Sequence, residues 1–271
     1  MASLHRGFQQ SGQSVDSEAA FAWIDRADAS PLIQEIKRRM LELCPISPGA
    51  RVLDVGCGLG HELQRIAQLV GPTGHTFGID VSPAMVAEAR RRASELALKI
   101  TVEVCDVHAL GFADARFDVC RVERVLRYLD SPERAVSEMA RVVRRDGLVV
   151  AFDFDSDQTV VDAPDPALTR RIAEVLDAAV PHPWVGRQLF GLFRSIGLAD
   201  VRVVPHALCL TGARGCAMYR QLNEGTIAAA TGAGRITADD AAAWWESLER
   251  AGRDETFLAA NLGFIVVGRK P

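Results

Sequence analysis

Apolar positions between residues 50 and 154 alternate between two spacings, and this alternation predicts the core of the fold. Short runs of consecutive apolar residues, typical of buried strands, are followed by stretches with helical spacing, three and four positions apart. The predicted strands lie near 51–55, 75–80, 100–105, 117–122 and 147–153, and the predicted helices near 61–70, 83–97 and 132–144. Strands that alternate with helices form a doubly wound, mostly parallel sheet, which binds ligands at the carboxyl ends of its strands.

The segments on either side of this core are predicted to add helices and two further strands. Two helices precede it, near 17–28 and 31–43, and the second begins with Ser30 as a candidate N-cap and Pro31 at the first helical position. After the core come helices near 166–180 and 185–196, a strand near 201–208 and a last strand near 264–268.

The connection between the last two strands is long for a hairpin and carries helical patterns near 214–230 and 238–250. It includes the aromatic residues Tyr219, Trp244 and Trp245. We interpret residues 153–185 and 209–260 as lid elements over a substrate, with plain helical packing on a sheet edge as the alternative. The chain then divides into an N-terminal arm with helices, 1–45, and a main domain, 46–271. Residues 1–14 of the arm are polar and expected to be mobile.

Composition limits the classes of function. The chain has 271 residues, of which 48% are hydrophobic, and a net charge of −4, so no nucleic-acid-binding surface is predicted. No apolar run approaches the roughly 20 residues that span a bilayer, and the N-terminus carries no signal-peptide core. The six cysteines form no C-x-x-C pair, which favours free thiols in a reducing cytoplasm and argues against a zinc site. We expect a cytoplasmic monomer or homodimer without a metal.

The first predicted strand ends in a glycine turn, Arg51-Val-Leu-Asp-Val-Gly-Cys-Gly-Leu-Gly60. Glycines permit the tight backbone angles of such a turn and let a ligand approach bare backbone. Asp54 precedes the turn, and Asp80 ends the second strand, where a carboxylate can reach a ribose. His61 stands where a dinucleotide fingerprint has its third glycine, and an acid before the turn suits a positively charged ligand better than a phosphate. A nicotinamide oxidoreductase is therefore disfavoured.

These residues resemble the class I S-adenosylmethionine-dependent methyltransferases, whose first motif is D-x-G-x-G-x-G. The resemblance implies a Rossmann-like sheet of seven strands, closed by an antiparallel hairpin of the strands near 201–208 and 264–268. It also implies that Asp80 binds the ribose hydroxyls and that Asp106 accepts from the adenine amino group, with a turn cap as the alternative for Asp106. The residues expected to bind S-adenosylmethionine are Asp54, Gly56, Cys57, Gly58, Gly60, His61, Asp80, Val81, Met85, Asp106, Val107 and Glu123, with His108 as a second candidate to face the adenine.

Residues 50 to 153 resemble more closely the ubiquinone/menaquinone-biosynthesis type of small-molecule methyltransferase. The shared pieces are Asp80-Val-Ser-Pro-Ala-Met85, Phe117-Asp-Val, Val125-Leu-Arg-Tyr-Leu129 and the helix that runs through Arg141-Val-Val. Arg145-Asp146 replaces a Pro-Gly pair, which we expect to change only a turn. Arg127-Tyr128 replaces a histidine-containing pair near the expected reaction site, so catalytic roles from that group do not transfer directly.

N-terminal helices often cover the cofactor in the resembled family. Phe8, Phe21 and Trp23 are the apolar candidates for this role here, and core packing is the alternative for all three.

Methyl transfer asks for little catalytic machinery, because the methyl group of this cofactor is already activated and alignment supplies much of the acceleration. A base is needed only where the nucleophile must lose a proton. The candidates are Tyr128, His182 and Glu123, with Asp153 and Asp155 also at the active edge of the sheet. We expect His61 to shape the cofactor end of the site and His206 to be structural.

Three functions stay open at this point. The first is methyl transfer to oxygen, carbon or nitrogen of a small, largely apolar or aromatic molecule. The second is methylation of a nucleic acid or protein, which would predict a basic face or an N/D-P-P-Y/F clamp after the fourth strand, where this chain has Val122-Glu-Arg-Val. The third is a protein that binds S-adenosylmethionine without catalysis and would retain Asp54, Asp80 and Asp106.

Overall fold

The computed structural model describes residues 17–96 and 98–271. The predictions for residues 1–14 and for Phe8 lie outside these residues. No helix in the described part of the chain is both long and apolar enough to cross a membrane.

Seven strands form one mixed sheet in the order β3-β2-β1-β4-β5-β7-β6. The first five strands are parallel to one another, and β7 runs antiparallel to both β5 and β6. The strands are β1 Arg51–Val55, β2 His75–Asp80, β3 Ile100–Val104, β4 Phe117–Glu123, β5 Val143–Val161, β6 Ala199–Thr211 and β7 Leu258–Arg269. The predicted doubly wound sheet of seven strands with its antiparallel closing hairpin is thus confirmed.

Nine α-helices within the described residues accompany this sheet. They are α1 Ser17–Asp28, α2 Pro31–Leu43, α3 His61–Val70, α4 Pro83–Ser94, α5 Pro132–Val142, α6 Pro166–Asp177, α7 Val185–Ser195, α8 Gly212–Gly232 and α9 Ala238–Arg253. Ser30 precedes α2 with an extended backbone, as an N-cap residue does, but its side chain makes no capping hydrogen bond. In α4, by contrast, the Ser82 hydroxyl accepts from the Met85 N–H at 3.4 Å.

The core lies on both faces of the sheet, because alternate strand residues point to opposite sides. Val52 packs with Ile36 of α2 and Ile66 of α3, whereas Leu53 packs in the cluster that includes Met139 of α5 and Leu189 of α7. A separate cluster joins α6, α8 and α9 through buried aromatic residues. The helices therefore cover the sheet, and the carboxyl ends of β1 to β4 open towards one common edge.

Long-range pairing moves several predicted ends. Helix α5 ends at Val142 instead of residue 144, because Val143 pairs with Phe117 of β4. Strand β5 is much longer than the predicted 147–153, since its pairing with β7 resumes at Thr159 after an irregularity that begins at Asp155. Strands β6 and β7 extend beyond the predicted 201–208 and 264–268 for the same reason.

The turn at Arg145-Asp146 lies at the start of β5. Asp146 has a φ of 61°, a left-handed conformation that aspartate tolerates better than most residues, and its N–H donates to the Lys270 carbonyl at 2.9 Å.

Candidate functional site

A cavity of about 760 Å³ lies at the carboxyl ends of β1, β2, β3 and β4. Helix α1, the first turns of α2, and parts of β6, β7 and α8 complete its walls. Among the residues predicted from sequence, the cavity is lined by Asp54, Gly56, Cys57, Gly58, His61, Asp80, Val81, Met85, Asp106, Val107, His108, Glu123 and Tyr128. Gly60 and His182 do not line it.

The glycine turn after β1 has the backbone that its sequence predicts. Gly56, Gly58 and Gly60 have φ values of 69°, 52° and 83°, in the left-handed region that favours glycine. No atom lies within 4 Å of a Cβ placed on Gly58, so open space adjoins the bare backbone there. A Cβ on Gly56 would collide with Val125, and one on Gly60 would come within 3.3 Å of Ala89. Gly60 therefore serves the packing at the start of α3.

Asp80 both ends β2 and anchors the glycine turn. Its Oδ2 accepts from the Gly58 N–H at 3.0 Å, and its Oδ1 accepts from the Ser82 N–H at 2.9 Å. Burial raises the pKa of this carboxyl, and these backbone donors oppose the rise. A carboxylate has about four acceptor positions, so each oxygen can still accept from a ligand hydroxyl in the cavity.

Asp106 caps the short 3₁₀ turn Val107–Ala109 that follows β3. Its Oδ1 accepts from the backbone N–H of His108 at 2.9 Å and from His108 Nδ1 at 2.7 Å. The Ser131 N–H donates to His108 Nε2, which assigns the ring proton to Nδ1. Burial alone would raise the pKa of Asp106, but the bonds from His108 lower it. Its Oδ2 makes no hydrogen bond to the described residues, so the capping role and the adenine role are compatible.

Arg121 is a site residue that the sequence analysis missed. It is opposite Asp54 in the β1–β4 ladder, and its side chain is 3% exposed. The guanidinium lies 3.1 Å from Asp54, 3.4 Å from Glu62 and 2.9 Å from Glu123. Lys37 of α2 extends this cluster by pairing with Asp28 at 2.7 Å and approaching Glu123 at 4.0 Å. A charged residue in the middle of an apolar strand was the signal that could have revealed it.

The buried cluster shifts two pKa values in opposite directions. Burial raises the pKa of Asp54 to about 6, and Arg121 only partly opposes it. Burial would also raise the pKa of Glu123, but Lys37, Arg124 and Arg121 together lower it to about 2. A carboxylate with so low a pKa is a weak proton acceptor near neutral pH, so the geometry does not favour Glu123 as a general base.

Helix α1 forms part of the cavity wall. Trp23, Ile24 and Ala27 line the cavity, whereas Phe21 is partly buried outside it. Asp25 of the same helix lies 2.7 Å from His61 Nε2 and 2.7 Å from Arg92 Nη1. His61 thus links α3 to α1 next to the glycine turn.

The remaining candidate bases lie at different distances from the cavity. Tyr128 lines it, and burial raises the pKa of its hydroxyl.

The other candidates lie outside the cavity. Asp153 accepts from the backbone N–H groups of Arg127 and Phe154, and Asp155 pairs with Arg187. Neither carboxylate lines the cavity, nor does His182, whose N–H donates to the Arg127 carbonyl at 3.0 Å. His206 lies on β6, also outside it.

Comparison with known proteins identifies the family. A family model described as a methyltransferase domain matches residues 46–180. A ubiquinone/menaquinone biosynthesis C-methyltransferase, UbiE of Bdellovibrio bacteriovorus, is 35% identical over 118 residues, which cover 44% of this chain and 50% of that protein. The chain belongs to the class I S-adenosylmethionine-dependent methyltransferase family. The match to UbiE proteins spans about half of their length.

Two further matches extend over more of this methyltransferase. An uncharacterized 37.1 kDa protein in a transposon of Streptomyces fradiae is 33% identical over 249 residues, covering 92% of this chain and 70% of that one. The phosphoethanolamine N-methyltransferase 2 of Haemonchus contortus, solved in complex with S-adenosyl-L-methionine, superposes with a TM-score of 0.63 at 17% identity. That match covers 98% of this chain and 60% of the other, and it shows the shared fold.

The cavity fits S-adenosylmethionine, the cofactor of this family. The open space at Gly58 admits a ligand against the backbone, and the anchored carboxylate of Asp80 can accept from two neighbouring hydroxyls. The ends of β3, β2 and β1 present Asp106, Asp80 and Asp54 in the order of the sheet. These residues would hold the adenine, the ribose and the positively charged methionine end respectively. Within the described residues, no group of histidine, cysteine and acidic side chains is arranged to hold a metal.

Proposed function

We propose that this methyltransferase moves a methyl group to oxygen, carbon or nitrogen of a small, largely apolar or aromatic molecule. The observation that carries the proposal is the cavity itself. Beyond β4 its walls come from Phe154, Leu208, Leu210, Met218, Leu222, Ala259 and Ala260. A concave, mostly apolar space with few polar groups is typical of small-molecule sites.

The reaction needs alignment more than acid–base chemistry. When bound, the cofactor supplies a methyl group that is already activated by its sulfonium. The chain holds the cofactor through the carboxylates at the ends of β1 to β3 and excludes water with α1 and α8, so that the acceptor atom can be aligned. Where the acceptor must lose a proton, Tyr128 is the predicted residue in the cavity that can relay it, since burial keeps its hydroxyl protonated.

We also propose that residues 209–260 serve as a lid, with α8 as its inner surface. Met218, Gln221 and Leu222 of α8 line the cavity, and α9 packs behind α8. Tyr219, Trp244 and Trp245 are buried between the helices, so they support this wall and do not contact a ligand. From residues 153–185, Phe154 alone lines the cavity.

Similarity to UbiE proteins supports carbon as one acceptor atom, since those relatives are named C-methyltransferases. All six cysteines are free, which is consistent with the reducing cytoplasm as the place of action.

The test is transfer of labelled methyl groups from S-adenosylmethionine to three separated pools: small metabolites, total RNA and total protein. Label in the small-molecule pool supports the proposal, and label confined to RNA or protein would contradict it. Tyr128→Phe is expected to lower turnover on the identified acceptor while S-adenosylhomocysteine affinity stays near wild type. A protein that binds the cofactor but labels none of the pools would instead favour the non-catalytic alternative.

A further inference from the structure

The order of the strands separates the cavity into a cofactor part and an acceptor part. Asp106, Asp80 and Asp54 stand at the ends of β3, β2 and β1, which lie side by side. A cofactor bound along these three strands leaves the space over β4, β5, β7 and β6 for the acceptor. Arg127, which follows β4, and Asn261 of β7 are polar residues in this second part.

The positive charges that line the cavity differ in their pairing. Lys37, Arg121 and Arg124 all take part in ion pairs with carboxylates. Arg26 and Arg127 make no ion pair with any described residue, although both line the cavity. Among the described residues, Arg26 and Arg127 are thus the cavity-lining arginines without an ion pair, and the walls that come from β6, β7 and α8 are mainly apolar.

Arg127 is held in place by hydrogen bonds, and its charge interacts with the carboxylates of Asp153 and Asp177 without forming an ion pair. Its backbone N–H donates to Asp153 Oδ2 at 3.1 Å, and its Nη2 donates to the Ser156 hydroxyl. Its Nε is buried without a hydrogen-bond partner, and its Cζ lies 5.4 Å from the centre of the Tyr128 ring. Because the side chain is already ordered, binding an anion there costs little additional conformational entropy.

We propose that the acceptor is an apolar molecule that carries an anionic oxygen group such as a carboxylate, and that Arg127, with Arg26 as a second cavity-lining arginine, binds this group. The inference rests on the proposed function and narrows it to one chemical class. A guanidinium suits such a group because its donors match the paired oxygens of a carboxylate. The apolar walls from β6, β7 and α8 would contact the rest of the molecule.

The test compares two fluorescent probes with the same apolar body. 8-Anilinonaphthalene-1-sulfonate carries an anionic group, and N-phenyl-1-naphthylamine lacks it. With S-adenosylhomocysteine bound, we expect Arg127→Met to weaken binding of the sulfonate probe by about tenfold, the scale of losing a hydrogen bond to a charged group. Arg127→Lys should recover part of this loss, and the neutral probe should change little. Arg214→Met is the matched control, since Arg214 is an exposed arginine of α8 outside the cavity.

Equal weakening of both probes by Arg127→Met would overturn the proposal, because it would show that the arginine acts through packing alone. Unchanged binding of the sulfonate probe would overturn it as well. If the variant does not fold, a competition experiment on the wild-type protein replaces it, with the sulfonate probe bound and two competitors added separately. The anionic 4-phenylbutyrate should displace the probe more effectively than the neutral 4-phenylbutyramide. Equal displacement by the two competitors would contradict the proposal. Calorimetry of the wild-type protein with S-adenosylhomocysteine distinguishes the proposed function from the inference about the anionic group. If S-adenosylhomocysteine does not bind, the proposed function is contradicted. If it binds but the probes show no preference for negative charge, only the inference is contradicted.

Discussion

Asp54 combines a position beside the glycine turn with a perturbed pKa. Its side chain is 5% exposed and pairs with Arg121, and burial nevertheless raises its pKa to about 6. A carboxyl with this pKa changes charge between neutral and mildly acidic pH. Because the cofactor carries a positive sulfonium and ammonium, its affinity should depend on the ionised form of Asp54.

We therefore expect the affinity for S-adenosylmethionine to fall as the pH drops below about 6, by up to roughly tenfold for each pH unit. Asp54→Asn should bind more weakly at neutral pH and lose this dependence. Isothermal titration calorimetry between about pH 7.5 and about pH 5 measures both effects.

Asp153→Asn is the matched control for this prediction. Burial also raises the pKa of Asp153 to about 6, but Asp153 does not line the cavity. This variant should keep the wild-type pH dependence. A wild-type affinity that does not change between neutral and acidic pH would contradict the role given to Asp54.

Arg121 leads to a prediction about stability. Replacing it by methionine removes the cation shared by Asp54, Glu62 and Glu123, so that buried carboxylates remain without compensation. Breaking a buried ion pair in this way typically costs about 3–5 kcal/mol. Urea unfolding near neutral pH should show a loss of this size for Arg121→Met. Arg145→Met, at an exposed arginine, is the control and should change the free energy of unfolding by less than about 0.5 kcal/mol. A similarly small effect for Arg121→Met would show that the buried cluster does not contribute to stability as expected.

Local motifs and distant partners differ in how well the sequence predicts them. Gly56, Gly58 and Asp80 belong to short motifs with backbone requirements of their own, so their position beside the cavity could be predicted. Arg121 acquires its partners from β1 and α3, and only the pairing of strands brings these together. The binding roles given to Gly58, Asp80 and the other predicted site residues stay predictions.

At the level of elements, α1 is attached to the rest of the protein partly through polar contacts. Asp25 pairs with His61 and Arg92, and neighbouring residues of the helix line the cavity. The Asp25 side chain is 42% exposed, so its ion pairs contribute at most about 1 kcal/mol to stability. Loss of these contacts should instead let the helix open more often over a bound cofactor.

Asp25→Ala is expected to increase the dissociation rate of S-adenosylhomocysteine several-fold with a change in unfolding free energy below about 1 kcal/mol. Stopped-flow displacement measures the rate, and the fluorescence of Trp23 in the cavity wall provides the signal. Glu18→Ala, at an exposed position of the same helix, should leave the rate unchanged. Equal rates in both variants would show that α1 does not limit release.

The existence of the elements could be predicted because apolar spacing is a local property, whereas their ends depend on long-range pairing. Val143 has the spacing of a helix residue but pairs with β4 and so belongs to β5. Strand β5 extends to Val161 because it pairs with β7 up to that residue. The helices of the 209–260 segment were found from their spacing. That α8 lines the cavity while α9 packs behind it follows only from tertiary contacts.

At the scale of the whole molecule, the assembled sheet forms a cavity region whose lining residues run, within the described part of the chain, from Trp23 to Asn261. A ligand that occupies this region contacts helices and strands that must all unfold together. Binding should therefore raise the thermal stability of the whole domain. A ligand at a hundredfold over its dissociation constant adds about 2.7 kcal/mol, which corresponds to several degrees for a domain of this size.

We expect S-adenosylmethionine and S-adenosylhomocysteine each to raise the unfolding temperature by such an amount, and NAD to leave it unchanged. NAD serves as the control because it shares the adenosine but carries a pyrophosphate, whose negative charges would be repelled by the carboxylates of Asp54 and Asp80. Asp80→Ala should reduce the shift for both adenosyl ligands, since it removes a ribose acceptor and the anchor of the Gly58 N–H. A shift with NAD equal to that with the adenosyl ligands would mean that the site recognises adenosine alone, and the assignment of Asp54 to the charged end of the cofactor would be wrong.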